Sequence, residues 1–125
     1  MNAFLFWAVA VCGGLGAATR FSIDSAVINR VRLAFPWVTF SINVTGSFAL
    51  GLLTAWLTGA LAAPEWVFLL GAGFLGGYTT FSTTSYDTIR LLNERRYIAS
   101  LLNLFGTLLA GVAAAALGLW CGSLL

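Results

Sequence analysis

Gly73-Phe74-Leu75-Gly76-Gly77-Tyr78-Thr79-Thr80-Phe81-Ser82-Thr83-Thr84-Ser85 joins two unlike halves of one long segment. Upstream, Trp66 to Gly73 is wholly apolar. Downstream, Asp87, Arg90 and Glu94 mark an amphipathic half. The paired glycines Gly76-Gly77 weaken a helix. Six hydroxyl side chains follow within the seven residues from Thr79 to Ser85. Serine and threonine can bond back to helix carbonyls and satisfy a simple kink, but six exceed that task. In a membrane, a broken helix is tolerated only where its freed backbone is buried in protein or lines a cavity. Such a break offers carbonyls to a cation and N–H groups to an anion.

The rest of the chain sets this segment in a bilayer. Of 125 residues, 60% are hydrophobic and 8% charged, against about 25% charged in a soluble domain. The ten charges leave four uncharged stretches, 1–19, 33–64, 66–86 and 97–125. About 20 helical residues cross a ~30 Å hydrocarbon core, so each stretch is long enough or nearly so. The pattern predicts an all-α membrane protein, a single four-span domain over 1–125. Its spans lie at about 4–23, 37–61, 66–95 with a break at 76–80, and 97–119. A soluble globular domain, a disordered chain and a nucleic-acid binder are excluded.

All six basic residues are arginines in, or feeding, the loops after spans 1 and 3. Those loops share one side of a four-span chain. The other side has Glu65 and the termini, so the positive-inside rule places both termini outside the cytoplasm. Residues 1–19 lack a basic start and run into a Gly-rich, Arg-ended helix, which reads as a retained span and not a leader. Cys12 and Cys121 are too few for a disulfide framework and read as packing residues. Gly13-xxx-Ala17 spacing permits close helix contact.

Two matches mislead. Gly71-Ala72-Gly73-Phe74-Leu75-Gly76 fits a dinucleotide fingerprint, but that fingerprint needs a βαβ unit. Asn43-Val44-Thr45 is a glycosylation sequon in mid-span. Asn43 and Asn103 carry more meaning, because an amide in hydrocarbon must hydrogen-bond. Each either links two helices or lines an aqueous path and donates to an anion.

Absences narrow the chemistry. There is no histidine and no lysine, and no acid in mid-span. Proton-coupled transporters hold an ionisable group within the membrane, so a passive path is favoured over a small coupled four-span transporter. No nucleophile–base pair or carboxylate pair is available, and no enzyme activity is expected.

At this point the motifs resemble the Fluc/CrcB family of fluoride channels over nearly the whole chain. Gly13-Gly14-Leu15-Gly16-Ala17-Ala18-Thr19-Arg20 is similar to the last eight positions of the family's GGxxGxxxR. Pro36-x-x-Thr39-x-x-x-Asn43-x-x-Gly46 is similar to PxGTLxxNxxG. Gly73 to Thr83 is similar to GFxGGxTTFSTF. The resemblance implies an antiparallel dimer of four-span subunits with two narrow fluoride pores. It implies a structural Na⁺ at the dimer centre, held here by the backbone carbonyls of Gly76 and Thr79. It places Asn43 and Phe81 along the pore, Ser82 close by, and Arg20 near a mouth. Thr39, Thr83, Asn103 and Thr107 complete the candidate set as neutral donors. Fluoride is strongly hydrated, so a pore must replace its water with hydroxyls, amide N–H groups and phenyl edges. The implied role is passive export across the cell's inner or plasma membrane, which protects against fluoride.

Three positions depart from that pattern. Thr84 stands where the second phenylalanine of the family motif falls. Gly111 and Ala115 follow Asn103 and Thr107 on one face, where family members often carry Ser and Thr. Val38 replaces the glycine before Thr39. The first two bear on whether both pores conduct. A homodimer of antiparallel copies requires insertion both ways, hence a weak arginine bias. The bias here is complete, which argues for a fixed-orientation subunit paired with an oppositely oriented paralogue. A poorly conducting partner subunit is a further reading.

Overall fold

The computed structural model describes residues 3–30, 36–59 and 64–124, apart from the side chains of 28–30, 64 and 68. Arg32 and the expected turn residues Ala62 and Ala63 fall outside the described residues. Every regular element among the described residues is helical. Helix α1 spans Ala3–Arg30 and α2 spans Trp37–Gly59. Helix α3 covers 64–78, with a π-helical stretch Val67–Leu75 at its centre. Helix α4 is Ser82–Asn93. Helix α5 is Tyr97–Ser123, with a second π-helical stretch at Leu102–Gly106. Three of these, Ala3–Val27 of α1, α2 and α5, are long and apolar enough to cross a membrane.

The helices associate chiefly in pairs. Helix α1 packs along α3, and α2 packs along the C-terminal part of α5. Helix α4 lies on the N-terminal part of α5, and α2 also touches α3. Both main pairings depend on absent side chains. A Cβ on Gly16 would run into the Phe74 carbonyl, and one on Gly77 into the Gly13 carbonyl. On the other pair, a Cβ on Gly51 would meet the Ala115 carbonyl and one on Gly118 the Phe48 carbonyl. Backbone-to-backbone approach of this kind is how membrane helices gain packing without a hydrophobic drive between them.

Between Tyr78 and Ser82 the chain leaves the helix, with Thr79 extended (φ −78°, ψ 160°). Gly76 and Gly77 are themselves helical. Gly77 therefore serves the α1 contact, and the non-helical residues are Thr79, Thr80 and Phe81.

Helix α4 ends in a Schellman turn. Arg95 N–H donates to the Leu92 carbonyl at 3.0 Å and Arg96 N–H to the Leu91 carbonyl at 2.9 Å. Arg95 takes the left-handed position (φ 61°) that this motif requires. The turn sends the chain straight back into α5.

The apolar surface is inverted relative to a soluble protein. Buried apolar side chains are few, among them Ile42, Leu57, Leu75 and Leu91, while Phe4, Trp7, Phe21, Ile98, Leu109 and Val112 are exposed. Exposed apolar surface on this scale marks a membrane or protein interface.

Candidate functional site

The site begins with the backbone that the break releases. In a continuous helix the N–H of Thr80 would bond to the Gly76 carbonyl. Here it donates to Asn43 Oδ1 at 2.8 Å, while Asn43 Nδ2 donates back to the Thr80 carbonyl at 2.9 Å. One carboxamide thus satisfies both main-chain groups of Thr80. Only a side chain with a donor and an acceptor side by side can do this. The Thr80 hydroxyl accepts the N–H of Thr83 at 3.1 Å, the N-cap interaction that restarts a helix. It also donates to the Thr83 hydroxyl at 3.2 Å and lies 3.4 Å from that of Ser82. As a result the Gly76 and Thr79 carbonyls lose their helical donors, which have gone to side chains.

A ladder of hydroxyls continues from Thr80 down one face of α4. Thr84 donates to the Thr80 carbonyl at 3.1 Å and accepts from Asn43 Nδ2 at 2.9 Å. Thr88 donates to the Thr84 carbonyl at 2.8 Å. From α5, Asn103 Nδ2 donates to the Thr84 carbonyl at 3.2 Å and to the Thr88 hydroxyl at 2.9 Å. Ser100 donates to the Thr88 carbonyl at 2.8 Å. Thr84, Asn43, Ser100 and Asn103 are all buried, Asn103 to 1% exposure. Both asparagines therefore link helices, and each amide nitrogen has acceptors for both of its hydrogens inside the protein.

A cavity of about 780 Å³ opens between α2, α3 and α5, with the break at one end. Of the candidates, Asn43, Thr79, Phe81, Thr84, Thr107 and Gly76 line it. Phe81 presents its ring openly, at 80% exposure. Thr39 is buried on α2 away from the cavity wall, and Ser82 and Thr83 belong to the α4 cap. Arg20 also stands apart: its Nε donates to the Gly77 carbonyl at 3.4 Å. There it meets the negative end of the α3 dipole. No charged residue lines the cavity among those described. The ion pairs of Arg90 with Asp87 (3.7 Å) and Glu94 (3.6 Å) lie along α4 instead. Thr107 lines the cavity with other atoms: its hydroxyl oxygen is buried from solvent and makes no hydrogen bond.

Three groups in the network escaped the sequence reading: Thr80 as its hub, and Thr88 and Ser100 as outer rungs. The signal for Thr80 and Thr88 is the spacing Thr80-xxx-Thr84-xxx-Thr88, which puts Thr84 and Thr88 on one face of the helix that restarts at Ser82, with Thr80 just before its start.

Comparison with known proteins decides the family. Residues 7–119 match the family model described as "CrcB-like protein, Camphor Resistance (CrcB)". The chain belongs to the CrcB family. It is 49% identical over 124 residues, 99% of its length, to "Fluoride-specific ion channel FluC 1" of Leifsonia xyli, covering 90% of that protein. It is 41% identical to a FluC 1 of Ligilactobacillus salivarius, over 93% of this chain and 97% of that one. A protein named FluC 2 in Bacillus cereus shares 40% identity over 93% of this chain and 95% of its own. With its three long apolar helices, this CrcB-family chain is a multi-pass membrane protein.

Proposed function

We propose that the chain is a subunit of a fluoride channel that lets F⁻ leave the cytoplasm passively. The observation that carries this reading is the cavity beside the break. It is lined by neutral groups, among them the hydroxyl-bearing side chain of Ser47 and an exposed phenyl ring. Hydroxyl hydrogens and ring edges carry partial positive charge without a compensating acid. They attract an anion while offering no site to a proton. The names of the relatives, fluoride-specific channels at 40–49% identity, support the same ion.

In this reading the third span is the broken pair α3–α4, and 1–125 forms one four-span unit. Two units assemble antiparallel in the cell membrane. The Gly76 and Thr79 carbonyls have lost their helical donors, and uncharged oxygens of this kind suit a hard monovalent cation. They are the groups that would hold a structural Na⁺, which supplies a fixed positive charge at the subunit junction. The complete arginine bias supports a fixed orientation with termini outside, and a partner inserted the opposite way. Relatives that bear both FluC 1 and FluC 2 names are compatible with such a paralogue.

Fluoride efflux from liposomes holding the purified chain is the test. Electrogenic flux independent of a proton gradient is expected; proton-coupled flux overturns the channel in favour of a transporter. One observation favours a second reading, a poorly conducting partner subunit: the amide hydrogens of Asn43 and Asn103 are engaged within the protein. Flux that is silent alone and restored by an oppositely oriented paralogue identifies that case.

A further inference from the structure

We propose that Ser47 is an ion-contacting residue of the conduction path, reaching across the gap between α2 and α5 to the bare Gly111 position; this rests on the channel reading above. Ser47 and Gly111 line the same cavity. The Ser47 hydroxyl is tied to no other described residue.

Placement supports this role. Ser47 lies one turn beyond Asn43 on α2, and Gly111 lies one turn beyond Thr107 on α5. A Cβ built on Gly111 would stand 3.5 Å from Ser47 Oγ. The Ser47 hydroxyl therefore lies beside the place where α5 carries no side chain. The Asn43 amide is engaged with Thr80 and Thr84, and the Thr79 and Thr84 hydroxyls donate to main-chain carbonyls. Ser47 can turn its O–H toward an anion without breaking a hydrogen bond to a described residue.

The test is fluoride efflux from liposomes carrying the full chain, wild type beside Ser47→Ala, Ser47→Thr and the double variant Ser47→Ala with Gly111→Ser. Loss of one donor to a charged ligand predicts about a tenfold fall in flux for Ser47→Ala. Ser47→Thr keeps the hydroxyl and retains wild-type flux. The double variant returns a hydroxyl from the other side of the same gap and recovers flux. Thermal midpoints in detergent verify that all variants are folded. Unchanged flux in Ser47→Ala overturns the proposal while leaving the channel intact. A fall that neither Ser47→Thr nor the double variant relieves overturns it as well, since packing alone then explains the loss. A silent wild type overturns the conducting reading and this proposal together.

Discussion

Asn43 and Thr80, 37 residues apart, pair through two hydrogen bonds of 2.8 and 2.9 Å. The side-chain amide of one stands in for the helical partners that the main chain of the other has lost. This single contact ties α2 to the interruption between α3 and α4.

Asn43→Asp should destabilise the protein strongly. The carboxylate still accepts from the Thr80 N–H, but it cannot donate to the Thr80 carbonyl or the Thr84 hydroxyl. A buried carboxylate facing two oxygens to which it cannot donate costs roughly 2–4 kcal/mol. Differential scanning fluorimetry in detergent should register a lower midpoint, and fluoride flux should fall with it. A wild-type midpoint would show that the pair does not support the break.

Thr84→Val keeps the shape and removes the hydroxyl that joins Asn43 to the Thr80 carbonyl. The expected cost is about 1–2 kcal/mol. Thr84→Phe is expected to cost more, because the site is only 5% exposed and a ring must displace the Asn43 carboxamide. Overpacking of this kind costs about 1–3 kcal/mol. Equal stability of Thr84→Phe and wild type would mean that the cavity absorbs the ring.

Gly77→Ala should disrupt the α1–α3 contact. The added methyl meets the Gly13 carbonyl, and a backbone atom cannot swing aside as a side-chain tip can. By contrast Gly106→Ala meets nothing within 4 Å and should be neutral or slightly stabilising, since alanine favours a helix by about 0.8–1 kcal/mol over glycine. Size-exclusion profiles and thermal midpoints of the two variants should diverge in those directions.

Arg95→Gly should raise stability by about 0.5–1 kcal/mol. Arg95 is an L-residue held in the left-handed region (φ 61°) at the end of α4, where glycine carries no Cβ penalty. A lower thermal midpoint for the glycine variant would show that the Arg95 side chain contributes more than the backbone strain removes.

Protease-accessible tags at each terminus should report one orientation when the chain is expressed alone, with both termini outside. A half-and-half distribution would remove the case for a dedicated partner and leave an antiparallel homodimer.

The sequence by itself determined the class. Sparse charge and long apolar stretches are one-dimensional properties, and the bilayer reads them directly. Helices follow, because in hydrocarbon every backbone group must be satisfied within its own segment. The glycine and threonine pattern from Gly73 to Thr83 was likewise sufficient for the family. What Gly76-Gly77 does was not legible. Two glycines read as a helix breaker, but Gly77 is helical and serves contact with α1, which no local pattern states. Nor could spacing tell that Asn43 and Asn103 direct their amide hydrogens to threonines of the break and of α4 while Ser47 bonds to no other described residue. A hydrogen bond depends on which groups lie within about 3 Å, and residues 37 positions apart reach that distance only when helices pack. The sequence supplied the neutral donors; the tertiary structure decided which of them hold the protein together and which face the cavity.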